Sequence, residues 1–245
     1  MKRLTFFLIS ITLLACSDDD STKNINSHLD GDLEIRSLED LNTPKTKALK
    51  TINGNLIIKY TNKVEDLKPL ANLEEVNGIL INNNHNLKSL DGLENIRKIG
   101  FIEIKNNFEL SSLSGLENLF LVSENFIIKN NDNLTSLVSL NGLTTIKGQF
   151  FINDNKGLID LSGLENLTEV SEFLVLNNIN LKSLTGINSL TSSSVIDLVS
   201  NNSLSNFCAL TSFVEQNNNP SYNFRARLNS YNPTSEDILN GNCSE

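Results

Sequence analysis

Apolar residues return at a fixed interval along most of the chain. From residue 52 to residue 213, leucine, isoleucine and valine recur in blocks of 23 or 24 residues. A repeat of this length predicts an array of similar structural units, each of which contacts its neighbours. One leucine-type position aligns through seven blocks, at Val64, Leu87, Leu110, Leu134, Leu158, Leu181 and Leu204.

Within each block, the spacing of the apolar residues changes from two to three. Alternation predicts a β-strand, and spacing by three fits a chain that turns around one axis and drops an apolar side chain inward at each step. The pattern therefore predicts an all-β fold, a parallel β-helix of about seven coils of 23–24 residues with short N- and C-terminal caps. The second block shows the change of spacing at Ile79, Ile81, Leu87, Leu90, Leu93, Ile96 and Ile99.

Asparagine occupies a fixed position in the repeat, three residues before the aligned leucine. A carboxamide has two donors and an acceptor, so stacked copies can bond to one another and to the backbone of the turn. We therefore predict a structural asparagine ladder, and the alternative is that these residues bind sugar or metal. The ladder residues are Asn84, Asn107, Asn131, Asn155, Asn178 and Asn201.

Two further columns mark the corners of the predicted coil. One contains asparagine, and the other contains glycine, which permits a tight bend. The fourth repeat departs from this pattern, with Ser139 and Gly142 at the glycine and asparagine positions. The corner residues are Asn72, Asn95, Asn118 and Asn166, together with Gly92, Gly115, Gly163 and Gly186.

The first sixteen residues have the pattern of a lipoprotein signal sequence. Lys2 and Arg3 precede an apolar run that is too short to span a bilayer. The following LLAC looks like the lipobox of bacterial lipoproteins, whose cysteine is acylated and becomes the new N-terminus. We predict a signal peptide at residues 1–15 and lipidation at Cys16; the alternative is an ordinary signal peptide with an incidental cysteine.

The residues after Cys16 are acidic and polar. The segment SDDD at residues 17–20 resembles the tags that direct lipoproteins to the outer face of the outer membrane in some Gram-negative bacteria. We predict an outer-membrane lipoprotein that faces the cell exterior. Periplasmic exposure is the alternative, because an acidic run also serves as a soluble tether. Residues 16–34 are predicted to form an acidic flexible tether.

The charge of the chain argues against nucleic acid as a partner. The formal net charge is −9, and loss of Lys2 and Arg3 with the signal peptide gives −11 for the mature chain (−9 − 2). Such a chain lacks the positive surface that neutralises phosphates. Membrane attachment would come from the lipid at Cys16 and not from a basic helix.

Both ends of the repeat carry signals for a cap. Ser37 and Asp40 in the segment SLEDL predict a short capped helix that covers the first coil. In the tail, Thr234 and Asp237 in the segment NPTSED predict a second short helix that stops at Gly241. We expect one β-solenoid domain with its N-terminal cap at residues 35–213, and a C-terminal cap at residues 214–245.

The cysteine count favours a disulfide in the C-terminal cap. If Cys16 carries lipid, Cys208 and Cys243 remain in a chain that is sent to an oxidising compartment. We predict that these two form a disulfide, which would hold the tail to the last coil. Two free buried thiols are the alternative.

The segment from Val76 to Ile99 combines an apolar strand, an Asn-Asn turn and the corner LKSLDGLENI. This combination resembles the receptor L-domain family, the ligand-binding solenoids of insulin-receptor and growth-factor-receptor ectodomains, over about residues 33–213. The resemblance implies a right-handed parallel β-helix, capped by a helix and disulfides, that recognises an extracellular partner. The sequence shows no cysteine-rich module or transmembrane helix of those receptors, so signalling is not implied. Leucine-rich repeats similar to those of bacterial internalins are the nearest alternative fold.

An enzyme is an alternative because other parallel β-helices cleave acidic polysaccharides with carboxylates and basic residues on one face. Here, no Lys, Arg or His recurs beside the acidic corner residues in a catalytic grouping, and the even coil length leaves no long loop to form a cleft. His28 and His85 fall in the predicted tether and in a turn, with no visible metal partners. We expect no catalysis, no cofactor and no metal.

The candidate binding residues are outward positions on the predicted strands. Ile127, Phe151 and Leu174 fall on consecutive coils, and Leu176 lies beside them. Apolar side chains stacked on an open sheet face form a patch that favours a partner. The alternative is that the tether, a dimer partner or a shifted strand phase covers them. The phase is open in the sixth repeat, where either Leu174 and Leu176 or their strand neighbours could point inward.

These patterns predict a non-catalytic scaffold that binds an extracellular protein or a glycan, in adhesion or in ligand capture. The identity of the ligand is not encoded in any motif of the chain. The competing hypothesis is a purely structural surface protein without a specific ligand. A polysaccharide-acting enzyme is the third and most distant alternative.

Overall fold

The computed structural model describes residues 26–217 and 223–245. The predicted signal peptide and Cys16 lie outside these residues. The described helices are α1 Leu38–Leu41, α2 Pro44–Ala48, α3 Thr211–Gln216 and α4 Ser235–Leu239, and 3₁₀ turns lie at Lys68–Leu70, Val138–Leu140 and Cys208–Leu210. The described strands are β1 His28–Asp30, β2 Leu33–Ile35, β3 Thr51–Lys59, β4 Glu75–Asn82, β5 Lys98–Ile99, β6 Phe101–Lys105, β7 Leu121–Val122, β8 Phe126–Lys129, β9 Thr145–Asn153, β10 Glu169–Leu176, β11 Val195–Val199 and β12 Asn223–Arg227.

The strands build a parallel solenoid, which confirms the predicted fold. The main path through the sheet runs β1-β3-β4-β6-β8-β9-β10-β11-β12. Each step joins parallel strands, so each coil lies directly above the one before it. The order is sequential because a coil of this length returns the chain to its own start, one strand spacing along the axis.

The core fills the centre of the solenoid with the residues that the repeat predicts. All seven aligned leucine-type positions are fully buried, and the inward apolar residues of strands β3 to β11 are buried as well. Phe126, Phe150 and Phe173 form a column in the middle of the core, with ring centroids 5.1 and 5.8 Å apart. One apolar column per inward position gives each coil an apolar neighbour above and below, which a single coil lacks.

A corner beside the main strands explains why the repeat has two lengths. Thr51 pairs with Glu75, an offset of 24, whereas Asn55 pairs with Gly78, an offset of 23. The same change occurs between Val170 and Glu172 in β10. The extra residue is taken up as a bulge at the corner. The main sheet therefore keeps its register, and no inward side chain is displaced.

The two short helices predicted at the ends are present. In α1, the backbone N–H of Asp40 donates to Ser37 Oγ at 3.1 Å. In α4, Thr234 and Asp237 form a reciprocal capping box. Both caps satisfy backbone donors that the first turn of a helix leaves free.

Two domain boundaries need correction. The predicted tether extended to residue 34, but β1 and β2 already pair with β3, and His28 lies in β1. These strands are too short to show a periodic pattern, although Leu29 and Leu33 pack against the core. The predicted C-terminal cap began at residue 214, but β12 adds a further rung to the sheet. Its offset from β11 is 28 residues, since Val195 pairs with Asn223, so the 23-residue pattern does not reach it.

A disulfide fixes the tail to the last coil, as the cysteine count predicts. Cys208 and Cys243 are bonded across a separation of 35 residues, with a Cα–Cα distance of 4.9 Å. The backbone N–H of Phe207 also donates to the carbonyl of Cys243 at 2.8 Å. The tail thus closes the C-terminal end of the core.

Candidate binding face

The solvent side of the main sheet presents side chains in straight columns, because the strands are parallel and in register. We call this side the strand face. Its central column contains Ile57, Leu80, Glu103, Ile127, Phe151, Leu174, Asp197 and Arg225. Its flanking column contains Lys59, Asn82, Lys105, Lys129, Asn153, Leu176, Val199 and Arg227.

The structure brings the four candidate residues together. Ile127, Phe151 and Leu174 stand on the neighbouring strands β8, β9 and β10, and Leu176 lies beside Leu174 in the flanking column. All four are half-buried and face solvent. Neighbouring strands are about 4.8 Å apart, so the three central residues span about 10 Å along the solenoid axis. We call these four residues and Val199 the apolar patch.

The strand phase of the sixth repeat, which the pattern leaves open, is settled by burial. Phe173 and Val175 are fully buried in the core. Leu174 and Leu176 therefore point outward, because successive side chains of a strand alternate between its faces.

A paired carboxylate limits the apolar patch on its N-terminal side. Glu103 accepts a hydrogen bond from Asn82 Nδ2 at 2.9 Å, and it pairs with Lys105 Nζ at 2.6 Å. Both partners lie in the flanking column, so the carboxylate leans away from the central column. Beyond it, Ile57 and Leu80 continue the apolar character of the central column.

An ion pair with a buried carboxylate limits the apolar patch on its C-terminal side. Asp197 follows Leu174 in the central column, and it is only 7% exposed. Arg225 in β12 binds it through two guanidinium nitrogens, with Nε donating to Oδ1 at 2.6 Å and Nη2 donating to Oδ2. This contact raises the pKa of Arg225. Sequence reasoning missed the pair because Arg225 lies on the rung that falls outside the repeat.

The cations of the flanking column differ in whether they are paired. Lys59 pairs with Glu34 at 2.7 Å, and Lys105 pairs with Glu103. Within residues 26–217 and 223–245, Lys129 and Arg227 form no ion pair. These two residues stand in the flanking column on either side of Asn153, Leu176 and Val199 along the solenoid axis.

Glu34 is a carboxylate whose pKa is lowered by neighbouring cations. Its Oε1 lies 2.9 Å from Arg36 Nε and 2.7 Å from Lys59 Nζ. The hydrogen bonds from Arg36 and Lys59 lower the pKa of Glu34 to about 2. Its charge is thus already matched within the chain.

The asparagine ladder uses its polar groups internally. The backbone N–H of Asn107 donates to Asn131 Oδ1 at 3.1 Å, and Asn107 Nδ2 donates to the carbonyl of Ile81 at 2.9 Å. The same two bonds recur at each described step of the ladder. All six ladder residues are fully buried. Such carboxamides stabilise the turn and present no donor or acceptor to a sugar or a metal.

The corner columns are also used by the fold. Asn95 Nδ2 donates to the carbonyl of Ala71 at 2.7 Å, and the other predicted corner asparagines make the same contact with the preceding coil. Gly92 has a φ of +115°, and a Cβ atom there would lie 2.0 Å from the carbonyl oxygen of Leu67. The column therefore requires glycine for its conformation and for the close approach of the preceding coil.

The acidic residues at the corners have structural partners that the sequence did not reveal. Glu94 accepts from the N–H of Gly92 at 2.8 Å, and Glu117 makes the equivalent bond to Gly115. The recurring GLE tripeptide was the available signal. In the described part of the chain, no group of three His, Cys, Asp or Glu residues could hold a metal ion.

A shallow groove runs along the corner of the coils. Its largest parts have volumes of about 340 and 550 Å³. Both are lined by Asn77 and Lys98, and Arg97 and Glu75 border the first. The lining is polar and mixed in charge. None of the described helices has the length and apolarity needed to span a bilayer.

Comparison with known proteins identifies the type of solenoid. Residues 48–108 match the family model of the receptor L domain. No curated protein matches the chain. The matched segment contains β3, β4, β5 and β6, where the strand, the asparagine turn and the glycine corner are all regular. The match and the parallel solenoid together show that this protein has an L-domain-like fold.

Proposed function

We propose that the protein is a non-catalytic binding scaffold that captures an extracellular partner on its strand face. The observation that carries this proposal is the apolar patch. Ile127, Phe151 and Leu174 are aligned on three consecutive strands and face solvent. Solvent-facing apolar side chains in contiguous rows are typical of interaction sites. The L-domain-like fold supports the proposal, since receptor L domains bind ligands without catalysis.

A protein partner fits the apolar patch better than a glycan does. Four of its five side chains are aliphatic, and Phe151 is the only aromatic one. Aliphatic surface gains free energy from contact with apolar side chains, and it offers a sugar hydroxyl neither a donor nor an acceptor. Interface cores with these properties are typical of protein contacts.

A non-catalytic role is supported by the structural contacts of the described acidic side chains. The corner carboxylates accept bonds from glycine backbone, and Asp197 is held by Arg225. A polysaccharide-acting enzyme is the alternative. It predicts new reducing ends when the purified protein is incubated with a panel of polysaccharides.

The binding site is tested by Phe151→Asp. We expect a loss of binding of at least tenfold, because a carboxylate in the centre of an apolar contact is desolvated without a partner. The wild-type protein is first screened on protein and glycan arrays, and the variant is then compared on the ligand found and in cell adhesion. The matched control is Phe108→Asp, which adds the same charge at an exposed phenylalanine outside the strand face.

Binding that survives Phe151→Asp, with the melting temperature unchanged, would favour a purely structural surface protein. Binding to glycans alone would favour a glycan as the ligand over a protein.

We also propose that the protein is an outer-membrane lipoprotein, anchored through Cys16 and facing the cell exterior. The LLAC sequence and the acidic run after it support this location. Cys16→Ser should abolish labelling with radioactive palmitate. Protease added to intact cells should degrade the wild-type protein, and a fully protected protein would indicate periplasmic exposure instead.

A further inference from the structure

We infer that the last strand, β12, accepts an extended segment of another protein as a further strand of the sheet. The segment that fits alternates apolar residues with acidic residues. The site is the open edge of the sheet at the C-terminal end of the solenoid, and it is separate from the apolar patch. Three features of β12 carry this inference: its unpaired backbone groups, its inward side chains and its outward cations.

The backbone of β12 is paired on one side only. In the described part of the chain, β11 is the only strand that pairs with it. The N–H of Asn223 donates to the carbonyl of Ser194 at 3.0 Å, so residue 223 directs its backbone groups toward β11. Successive strand residues direct these groups to opposite sides. Phe224 and Ala226 therefore point their N–H and C=O groups to the open edge, which is a template for strand addition.

The inward side chains of β12 stay partly open at the end of the core. Phe224 and Ala226 pack against the core but are only half-buried. In β11, by contrast, the inward residues Ile196 and Leu198 are fully buried. Alternate residues of an added strand would lie over Phe224 and Ala226. Apolar residues at these positions gain free energy from burial.

The outward side chains of β12 are cationic. The side chain of Arg225 is 51% exposed while it binds Asp197. Arg227 is exposed and forms no ion pair with a described residue. No acidic residue occurs in β12. The outward residues of an added strand would lie beside these cations, so carboxylates there are favoured over neutral or basic groups.

The other end of the sheet already holds a strand of this kind. β2 contains Leu33, Glu34 and Ile35 and pairs in parallel with β3. Its two apolar residues contact the core, and Glu34 lies opposite Ile57. The carboxylate reaches Lys59, two residues further along β3, at 2.7 Å.

The same contact can form on β12. Arg227 occupies the flanking column, as Lys59 does, and Arg225 occupies the central column, as Ile57 does. A carboxylate opposite Arg225 thus has the same relation to Arg227 as Glu34 has to Lys59. The added strand would repeat a contact that this fold makes within itself.

A second copy of the chain is a poorer occupant of this edge. Two β12 strands in antiparallel pairing would bring the arginines of one copy against those of the other, and like charges in opposed positions destabilise a sheet. The free N-terminal edge of a second copy carries Glu34, but Arg36 and Lys59 already bind this carboxylate.

Two labelled peptides of nine residues serve as probes. One alternates valine with glutamate, and the other alternates valine with lysine. Binding to the purified full chain is measured by fluorescence anisotropy. We expect the acidic peptide to bind at least tenfold more tightly than the basic one. This preference should fall as salt is raised, because exposed charges are screened.

Amide exchange followed by NMR locates the bound peptide. An added strand takes up the edge-facing N–H groups of Phe224 and Ala226. We expect their exchange to slow at least tenfold with the acidic peptide, while the exchange of β4 stays unchanged. Peptide binding without this protection would overturn the inference.

Two variants separate the charge from the backbone contact. Arg227→Glu should weaken the acidic peptide about tenfold, whereas Lys182→Glu makes the same charge change at an exposed residue elsewhere and should not. Ala226→Pro removes a donor at the open edge and leaves the bonds to β11 in place. It should abolish binding of the acidic peptide, and Ala226→Ser, which keeps the N–H, should not. Melting temperatures confirm that each variant is folded.

The outcomes separate this inference from the proposed function. Equal affinity for the two peptides, or failure of both to bind, overturns the inference and leaves the arginines as guards against edge-to-edge aggregation. Self-association of the wild-type chain that Arg227→Glu abolishes would assign the edge to a second copy instead. Phe151→Asp should leave peptide binding unchanged; loss of binding in that variant would place the peptide on the apolar patch and overturn the site.

Discussion

At the scale of single residues, the buried carboxamides decide which turn the chain can make. Each ladder asparagine follows a residue with positive φ, such as Asn106 at 57° or Asn130 at 55°. Asparagine tolerates this left-handed region better than most residues do. The Asn-Asn pair thus meets two requirements at once, a sharp turn and a bonded column.

The ladder predicts a clear cost for Asn131→Ala. The change leaves the backbone N–H of Asn107 and the carbonyl of Ile104 without their partners. A buried polar group without a hydrogen-bond partner is destabilising, so we expect the free energy of unfolding to fall by about 1–3 kcal/mol. Urea denaturation followed by circular dichroism measures this loss. Asn133→Ala, at an exposed position two residues away, is the control, and an unchanged midpoint in both variants would show that the ladder is solvated.

The titration of Glu34 gives a second prediction at this scale. Its pKa is lowered to about 2 in the folded chain, from 4.5, chiefly by the hydrogen bond from Arg36. A lowered carboxyl pKa means that the contact stabilises the fold above about pH 4.5 and that this contribution is lost as pH falls through about 2. NMR titration of the side-chain carboxyl carbon should show the low midpoint. Arg36→Gln should raise it toward 4.5, whereas Lys182→Gln should not; a wild-type midpoint near 4.5 would contradict the contact.

At the scale of secondary structure, the ends of the solenoid differ from its middle. The inner strands are covered on both sides, whereas β12 pairs only with β11 along the main path of the sheet. Its inward residues Phe224 and Ala226 are only partly buried. The stability of the last rung therefore depends on the cap that packs against it.

The disulfide should matter mainly for this last rung. Replacing Cys208 and Cys243 with serine opens a 35-residue loop, which corresponds to about 4 kcal/mol of loop entropy. We expect faster amide exchange in β12 and α4, while β4 to β9 stay protected because stability is local in a stacked array. Hydrogen–deuterium exchange by mass spectrometry measures both regions. Ser244→Ala serves as the surface control, and uniform protection after removal of the bond would show that the tail is held by packing alone.

At the scale of the whole molecule, the same translation relates every inner coil to the next. Deleting one complete repeat would keep both the register of the main sheet and the alignment of the asparagine ladder. Contacts are made almost entirely between neighbouring coils. The number of coils can therefore change, but each coil must keep its inward positions aligned with those of its neighbours.

Deletion of residues 156–178 should therefore give a shorter folded protein. This cut removes one 23-residue repeat and joins Asn155 to Ile179, so that Asn155 is followed in the ladder by Asn201. Deletion of residues 156–167 is the control, because half a coil places polar residues in the core. Circular dichroism and thermal melting should show a cooperative transition for the first variant and none for the second. Unfolding of both would show that the coils are not interchangeable.

Local spacing in the sequence specifies the parts of this protein that repeat. The buried columns, the asparagine ladder, the glycine corners and the capped helices follow from local spacing, because each coil meets the same neighbours as the one before. The disulfide followed from the number of cysteines. Ile127, Phe151 and Leu174 were also visible as an outward apolar column, since register carries a strand pattern from coil to coil.

The features that interrupt the repeat depend on contacts in the folded stack. β12 joins the sheet at an irregular offset of 28 residues, and β1 and β2 keep the 23-residue offset but are only three residues long, so no local pattern marks any of the three strands. The pair of Asp197 with Arg225 arises because β12 lies beside β11. The pairing of Lys59 with Glu34 likewise depends on contact between strands of different coils. Pairing between residues distant in sequence is a property of the assembled stack, and no spacing along one coil specifies it.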